Sequence, residues 1–318
     1  MTVALGGDYR PSTERILRAV ASGFRAEGFQ ILHCGLIPTP ALMAYAMSRN
    51  FPSAMVTGSH IPDDRNGIKF NLPWGEVLKS DEVEILAHYD TLGSEASTLD
   101  DLSGALPPAI VDAAEYYRQR YFRFFPPASL QGLRVVLYQH SSVAREDLKR
   151  LLEELGADVI PVGWSDRFVP VDTEAVEDLP QLAGWVRDHR AEALVSADGD
   201  GDRPLVVDER GRQLRGDVLG ILVARYLEAE SVAAPVSCNT ALEKSGWFAH
   251  IRRTRIGSPY VIEAMMKAVE EGRRPVVGYE ANGGFLTGTD VFHPTGGGKL
   301  PSLPTRDAAL PILSVLAM

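Results

Sequence analysis

The sequence AEALVSADGDGDRPLVVDER, residues 191–210, places a carboxylate-rich turn between two apolar stretches. Residues 193–195 and 205–207 have the composition of short strands, and Asp198, Asp200 and Asp202 lie between them. The glycines allow these like charges to converge, and a divalent cation would relieve their repulsion. Oxygen ligands suit Mg²⁺ or Ca²⁺ rather than zinc. The stretch therefore predicts a metal loop between two strands.

Two other interpretations of this loop stay open. Asp198, Asp200, Asp202 and Glu209 match carboxylate positions of an EF-hand calcium loop. Arg203 stands where that loop needs glycine, and the flanking stretches indicate strands rather than helices. A solvated acidic hairpin without a metal is the other interpretation.

On both sides of this unit, apolar strands alternate with helical patterns, which predicts an α/β protein with mostly parallel sheets. Three stretches repeat this layout, starting with a strand near residue 3, a strand near residue 135 and a helix near residue 261. In the first, Ser12 is expected to cap the helix. The polar segment 94–108 and the turn 208–211 indicate boundaries near residues 106 and 213. We therefore expect three domains, at residues 1–106, 107–213 and 214–318.

The bulk composition limits the possible partners. The chain has 318 residues, a formal net charge of −10 and an isoelectric point near 5.3, which disfavours general binding to nucleic acid or to anionic membranes. Cys34 and Cys238 form no disulfide or metal-binding pattern. The sequence shows neither a membrane span nor a secretory signal, so we expect a cytoplasmic protein. It does not indicate an oligomeric state.

A second candidate site lies in residues 54–69, AMVTGSHIPDDRNGIK. Ser59 follows a short apolar strand, at the end where α/β folds usually bind ligands. Asn66-Gly67 is a turn signal that directs Lys69 back toward this strand end. His60 is adjacent, but neighbouring side chains at a strand end point apart, so a protease-like Ser59–His60 pair is disfavoured.

Taken together, these loops resemble those of the α-D-phosphohexomutases, the phosphomannomutase and phosphoglucomutase family. The matching segments occur in the family's order: 7–12 (G-R-D-x-R-x-S), 38–40 (P-T-P), 57–62 (phosphoserine loop, T-(A/G)-S-H-N-P), 66–69 (N-G-x-K), 198–203 (metal loop, D-G-D-G-D-R) and 278–282 (sugar-binding loop, G-E-x-S). The resemblance covers nearly the whole chain. It implies three tandem α/β domains with mixed, mostly parallel sheets, the first of them incomplete.

The resemblance also implies a reaction. Ser59, as phosphoserine, would donate its phosphoryl group to a hexose phosphate and recover one from a hexose 1,6-bisphosphate intermediate. Mg²⁺ would bind the phosphoserine together with Asp198, Asp200 and Asp202. The function expected is phosphohexomutase, and phosphomannomutase in particular. Phosphoglucomutase, a dual-specificity enzyme, a calcium-binding module and a non-catalytic phosphosugar-binding protein stay as alternatives.

The remaining site residues are assigned by the same resemblance. Lys69, as a candidate acid or base, and Arg10 would assist near the reacting oxygens, and His60 completes the candidate catalytic set. The candidate substrate-binding residues are Arg203 for the phosphosugar, Glu280 for the sugar hydroxyls, and Asn282 and Ser258 in the same region.

Several positions depart from the family pattern. Asn282 and Gly284 replace a common serine and histidine, and Ser258 stands where some members have histidine, which leaves the sugar preference open. Residues 139–142, QHSS, stand where the family usually has a glycine-rich turn, and we expect them to have a structural role. The resemblance also leads us to expect that this sequence lacks an N-terminal segment and a fourth domain, which in the family grips the phosphate of the substrate. The apolar pattern at residues 310–316 is expected to need a cover from a partner or from further chain.

Overall fold

The computed structural model describes residues 1–92 and 105–318. Its strands form three α/β sheets, and a separate two-stranded ribbon accompanies the third. Part of the predicted linker 94–108 lies outside the described residues. Within them, no helix combines the length and the apolar composition that a bilayer crossing needs.

The three sheets share one plan. In each, three parallel strands stand in the order second, first, third, and an antiparallel strand follows the third. The strands of the first sheet are β1 (Thr2–Gly7), β2 (Gln30–Leu36), β3 (Ser53–Val56), β4 (Ile68–Leu72) and β5 (Gly75–Glu76). Those of the second are β6 (Arg134–His140), β7 (Asp158–Trp164), β8 (Ala193–Ala197) and β9 (Pro204–Asp208).

The third sheet adds one further antiparallel strand at its edge. Its strands are β10 (Ser231–Pro235), β11 (His250–Thr254), β12 (Val276–Tyr279), β13 (Phe285–Thr287) and β16 (Leu303–Asp307), and the ribbon consists of β14 (Val291–Phe292) and β15 (Lys299–Leu300). Strand β16 pairs with β13, and Asp307 stands opposite Phe285. The residue before Asp307 therefore lies beside the turn that precedes β13.

Ten helices in the described residues connect or cover these strands. They are α1 (Thr13–Ala26), α2 (Thr39–Ser48), α3 (Lys79–Leu92), α4 (Asp112–Phe124), α5 (Arg145–Glu154), α6 (Leu179–His189), α7 (Gly216–Tyr226), α8 (Ala241–Lys244), α9 (Ser258–Glu270) and α10 (Ala309–Leu316). The three α/β repeats and the mixed, mostly parallel sheets confirm the predicted fold class. The aromatic segment near residue 116 forms helix α4.

One apolar core joins the three sheets. It contains Tyr45 of α2, Tyr121 of α4, Leu137 of β6, Leu219 of α7 and Leu310 of α10, all nearly inaccessible to solvent. Full burial of such side chains is worth about 1.5–3 kcal/mol each. The loops at one end of the sheets are therefore held against one another by a shared core.

Two local expectations are wrong. Ser12 is the N-cap residue of α1, but its side chain makes no capping hydrogen bond; its hydroxyl instead accepts one from the Asn66 amide at 3.0 Å. The apolar helix α10 is not exposed, because Leu310, Ile312 and Leu313 are buried within this chain. The shared core supplies the cover that the sequence pattern required.

Candidate active site

Three loops at corresponding places in the three sheets meet in one region. Each connects the third parallel strand with the antiparallel strand that follows: residues 57–67, the serine loop; residues 198–203, the metal loop; and residues 280–284, the sugar loop. Because the sheets share one plan, the carboxyl end of the same strand is used each time. The repeated fold thus supplies three different chemical groups to one site.

The metal loop brings its three carboxylates together. One carboxylate oxygen from each of Asp198, Asp200 and Asp202 lies within 4.8 Å of the others, and all three residues are buried. The Ser59 hydroxyl donates to Asp198 Oδ2 at 2.5 Å, although 139 residues separate the two in sequence. The nucleophile candidate and the acidic cluster therefore form one site.

The charges of this cluster fit a cation. Asp200 Oδ1 and Asp202 Oδ1 are buried and accept no hydrogen bond from the described residues. Burial, with the charges of Asp200 and Asp202, raises the pKa of Asp198 well above its usual range. Buried carboxylate oxygens without donors are costly unless a cation compensates them. The three aspartates therefore have the composition and convergence of a possible metal site, and the flanking strands β8 and β9 exclude the helices of an EF-hand.

Neighbouring elements hold the metal loop in shape. Thr39, at the start of α2, donates its backbone N–H to the Asp200 carbonyl at 2.9 Å and its hydroxyl to the Asp200 carboxylate at 2.5 Å. His140 Nε2 lies 2.7 Å from the Ala197 carbonyl, and Ser142 donates to the Asp198 carbonyl at 2.7 Å. The segment 139–142 thus supports the loop backbone, in agreement with the structural role expected for it.

Lys69 reaches the same carboxylates from strand β4. Its Nζ donates to Asp200 Oδ2 at 2.6 Å and to Asp202 Oδ2 at 2.8 Å. Burial disfavours the ammonium form, but the two carboxylates outweigh it and raise the lysine pKa above its usual value. Lys69 is therefore a cation at neutral pH that can stabilise negative charge, and its raised pKa makes it a weaker acid than an ordinary lysine.

Arg10 lies beneath the serine loop. Its five guanidinium N–H groups are directed to Asp8 and to the carbonyls of Ser59, Ile61, Pro62 and Arg65, at distances between 2.5 and 3.2 Å. Since the guanidinium group has five donors, these acceptors use all of them. The structure therefore gives Arg10 contacts that fix the loop backbone.

The serine loop and the metal loop touch at a glycine. A Cβ atom added to Gly199 would lie 2.7 Å from the Ser59 carbonyl oxygen. Ser59 itself has φ of 53°, in the left-handed region that costs a non-glycine residue free energy. This conformation turns its hydroxyl toward Asp198.

The backbone turn at Ser59 also overturns one expectation about His60. The two side chains do not point apart: His60 Nδ1 lies 3.3 Å from Ser59 Oγ, and His60 Nε2 lies 3.5 Å from Arg203 Nη1. Burial, together with the Arg203 charge, lowers the pKa of His60. A neutral imidazole therefore stands beside the serine hydroxyl at neutral pH.

The sugar loop is tied to the metal loop by an arginine. Glu280 Oε2 accepts from Arg306 Nη1 at 3.1 Å, and Arg306 Nη2 lies 2.8 Å from Asp202 Oδ2. Burial opposes ionisation of Asp202, but the charges of Arg306, Lys69 and Arg203 outweigh it and lower its pKa. The predicted sugar-contacting glutamate is thus connected with the metal loop.

Two other predicted substrate-binding residues have partners within the protein. The Asn282 side chain accepts from the Gly284 N–H at 2.9 Å and so shapes its own loop. The Ser258 hydroxyl donates to Glu76 Oε2 at 2.6 Å, and Thr305 donates to Glu76 Oε1 at 2.6 Å. Glu76 of the first sheet therefore bridges two elements of the third.

Sequence reasoning missed Arg306, Glu76 and the contact made by Thr39. Thr39 lies in the P-T-P segment, but the sequence pattern indicates no role for its side chain. Arg306 and Glu76 stand in no recognised motif, and only the pairing of β16 with β13 brings Arg306 to the sugar loop.

A cleft of about 410 Å³ opens between the first and third sheets. Its lining includes Lys69, Asp202, Ser258 and Arg306.

Comparison with known proteins agrees with this arrangement. Family models described as phosphoglucomutase/phosphomannomutase alpha/beta/alpha domains I, II and III match residues 1–96, 115–211 and 215–318. A phosphomannomutase of Sinorhizobium fredii is 45% identical over all of this chain and 67% of its own length. One of Salmonella muenchen is 44% identical over 99% of this chain and 64% of its own length. The chain thus spans about two thirds of these relatives.

Solved structures show the same fold. A phosphoglucomutase/phosphomannomutase family protein of Burkholderia thailandensis superposes with a TM-score of 0.75 at 22% identity, over 99% of this chain and 68% of that one. The Aspergillus fumigatus N-acetylphosphoglucosamine mutase, in complex with GlcNAc-6P and magnesium, superposes with a TM-score of 0.58 at 16% identity, over 100% of this chain and 62% of that one. With the sequence matches over all three sheets, these findings show that the chain belongs to the phosphoglucomutase/phosphomannomutase family.

Proposed function

We propose that this chain carries a phosphohexomutase site that transfers a phosphoryl group between Ser59 and a hexose phosphate, with mannose phosphate as the preferred substrate. The observation that carries the proposal is the 2.5 Å hydrogen bond from Ser59 to Asp198, within the cluster of three buried aspartates. The two relatives at 45% and 44% identity, both phosphomannomutases, support the choice of sugar.

The chemistry follows from the groups around Ser59. A sugar hydroxyl oxygen forms a bond to phosphorus while the bond between phosphorus and Ser59 Oγ breaks, which yields a hexose 1,6-bisphosphate. The neutral His60, 3.3 Å from Ser59 Oγ, can accept the hydroxyl proton and return it to the serine oxygen. Transfer of the other phosphoryl group back to Ser59 then completes the isomerisation.

Asp198, Asp200 and Asp202 would hold Mg²⁺ together with the serine phosphate, because hard oxygen ligands are those that Mg²⁺ prefers. When bound, the ion would neutralise charge on the phosphoryl oxygens. Lys69 contributes a further positive charge beside the aspartates. Arg203 lies next to His60 of the serine loop. Arg10 acts by fixing the serine loop, since its donors are used by protein acceptors.

Substrate selection is assigned to the sugar loop. The buried Glu280 carboxylate can accept hydrogen bonds from two hydroxyl groups of a hexose. Asn282 supports this loop through its bond to the Gly284 N–H. Ser258 has a smaller part in binding than the sequence predicts, because its hydroxyl is engaged by Glu76.

The first test of the proposal asks whether Ser59 reacts. The chain is incubated with mannose 1,6-bisphosphate and Mg²⁺, and peptide mass spectrometry locates any phosphoryl group. We expect phosphorylation at Ser59, none in Ser59→Ala, and normal phosphorylation in Ser48→Ala, whose hydroxyl donates to the Tyr45 carbonyl within α2. Hexose phosphate binding with no modification of Ser59 would instead support a non-catalytic binding protein.

The second test asks which sugar is preferred. The phosphorylated chain is mixed with mannose 6-phosphate or glucose 6-phosphate, and loss of the serine phosphate is timed. Faster transfer to the mannose compound is expected. Equal rates would indicate a dual-specificity enzyme, and faster transfer to the glucose compound would refute the choice of mannose.

A further inference from the structure

Arg306 enters the site from an unexpected element. It lies on β16, at the edge of the third sheet, and its guanidinium group extends over the sugar loop to Glu280 and Asp202. Only 15% of its side chain is exposed. Arg306 is therefore an almost buried cation placed between the proposed sugar-binding carboxylate and the metal loop.

Gly284 makes room for this arginine. A Cβ atom at Gly284 would lie 2.7 Å from both Cγ and Cδ of Arg306, and 2.9 Å from its Cβ. Real Cβ contacts this short are essentially never seen, so a side chain at residue 284 and Arg306 in its present position exclude each other. The sugar loop thus has no side chain of its own at this point, and the arginine of the neighbouring strand occupies the space.

The guanidinium group has donors that no protein acceptor uses. Nη1 donates to Glu280, and Nη2 faces Asp202. Nη1 and Nη2 each keep a second N–H group with no acceptor among residues 1–92 and 105–318. Nε also has no acceptor there, but it is buried and closed to a ligand in the cleft. Unsatisfied donors of a buried cation carry a free-energy cost that an incoming anion would remove.

The position of Arg306 selects the chemistry of its ligand. It lines the cleft of about 410 Å³ together with Lys69 and Asp202. The planar guanidinium group favours oxyanions, above all phosphoryl oxygens. An anion on the Asp202 side of Arg306 would stand beside the metal loop, and the attached sugar would extend toward Glu280.

We propose that Arg306 contacts the phosphoryl group of the bound hexose phosphate, and that Gly284 is required because it lets Arg306 reach that group. This inference rests on the proposed function and adds to it a substrate-binding residue that belongs to none of the three loops. In this site the sugar loop supplies the carboxylate, and strand β16 supplies the cation.

Binding of mannose 6-phosphate in the presence of Mg²⁺, measured by calorimetry, tests the inference. Ser59→Ala is the parent, so that no phosphoryl transfer occurs. We expect Arg306→Met to weaken binding roughly 10- to 100-fold, as loss of a hydrogen bond to a charged group does. Arg306→Lys should recover part of the loss, and Arg210→Met, at an exposed arginine of the β9 turn, should bind as the parent does.

Gly284→Ala provides an independent arm, because it displaces Arg306 without removing its charge. A loss of affinity comparable with that of Arg306→Met is expected. If circular dichroism shows that Arg306→Met does not fold, the affinities of Arg306→Lys and Gly284→Ala test the role of Arg306 instead. Parent-like affinity in the Arg306→Met variant, or in both of the other variants where that one does not fold, overturns the inference.

The outcome for the parent separates this inference from the proposed function. A parent that binds mannose 6-phosphate, with Arg306 variants of equal affinity, refutes only the role of Arg306. A parent that binds no hexose phosphate, in a chain whose Ser59 also takes no phosphoryl group from the bisphosphate, refutes the proposed function and the inference together.

Discussion

The metal loop and the sugar loop occupy the same place in two sheets of the same plan, yet they are built differently. The metal loop carries its own functional groups, since three of its six residues, 198–203, are the aspartates that converge. The sugar loop carries one carboxylate, Glu280, and receives its cation from Arg306 on another strand. Functional groups that lie within one loop can be recognised from sequence, whereas a group supplied by another strand cannot.

The largest expected effect tests whether the metal loop is complete in itself. Asp200→Asn removes one of the three converging charges, so Mg²⁺ affinity should fall. Phosphoryl transfer to Ser59 should fall on the order of 10²- to 10³-fold, as when one preorganised charge contact of an active site is lost. Calorimetry with Mg²⁺ and the rate of Ser59 phosphorylation measure the two effects.

Two matched changes complete this comparison. Glu209→Gln removes a carboxylate just beyond the metal loop, in an exposed pair with Arg210, and should leave both measurements unchanged. Glu280→Gln should weaken hexose phosphate binding while Mg²⁺ affinity stays near that of the unmodified chain. A loss of Mg²⁺ affinity in Glu280→Gln as large as in Asp200→Asn would show that the two loops are not separate in function.

The second effect is a loss of stability in acid that arises at His140, in the second sheet. His140 supports the metal loop through the Ala197 carbonyl, and its Nδ1 is buried with no partner in the part of the chain that the structure describes. Burial lowers the pKa of His140 to about 4 from 6.5. Between these values the unfolded chain binds a proton that the folded chain does not, so stability falls as the pH falls. The loss should approach about 3 kcal/mol at pH 4.

Urea unfolding at pH 7 and at pH 4.5 measures this loss. In His140→Gln the loss of stability caused by protonation of the histidine should disappear. The free energy of unfolding should therefore depend less on pH in this variant. His189→Gln, at the partly exposed end of α6, is the matched control and should keep the full dependence. An identical pH dependence in His140→Gln and the unmodified chain would contradict the assignment.

The third effect concerns the attachment of the third sheet to the first sheet. Glu76→Ala leaves the hydroxyls of Ser258 and Thr305 without their acceptor, and both of these residues are buried. A destabilisation of about 2 kcal/mol is expected from two unsatisfied hydroxyls. Glu76→Gln, which keeps one acceptor oxygen, should lose less.

Urea unfolding curves provide the measurement for this bridge. Glu82→Ala is the control, because its carboxylate pairs with Lys79 on the surface of α3, where such pairs contribute little. Equal stability of the Glu76→Ala and Glu82→Ala variants would show that the bridge does not hold the two sheets together.

The sequence predicted those parts of the molecule whose determinants are adjacent along the chain. Periodic apolar positions indicated the three α/β repeats, and the spacing of Asp198, Asp200 and Asp202 indicated a metal loop that the structure assembles. The predicted side-chain direction of His60 is wrong, because the left-handed backbone conformation of Ser59 turns the two side chains toward each other. The local sequence pattern does not indicate that conformation.

The remaining parts depend on tertiary pairing. Arg306 stands 26 residues after Glu280 and reaches it only because β16 pairs with β13. The sequence predicts a cover for helix α10 from outside the chain, because an apolar stretch does not show which surface it packs on. The shared core that buries it contains residues from all three sheets, and such an assembly has no local signature.

The smallest expected effect concerns the shape of the sugar loop. Asn282→Ala removes the acceptor for the Gly284 N–H, a local bond of 2.9 Å, and should cost about 1 kcal/mol of stability. Asn282→Asp, which keeps the acceptor oxygen, should retain most of it. Mannose 6-phosphate affinity should fall only a few-fold in the alanine variant, because Glu280 and Arg306 keep the hydrogen bond that joins them. A loss as large as that of Arg306→Met would mean that Asn282 touches the substrate, and the sugar loop would then resemble the metal loop in supplying its own groups.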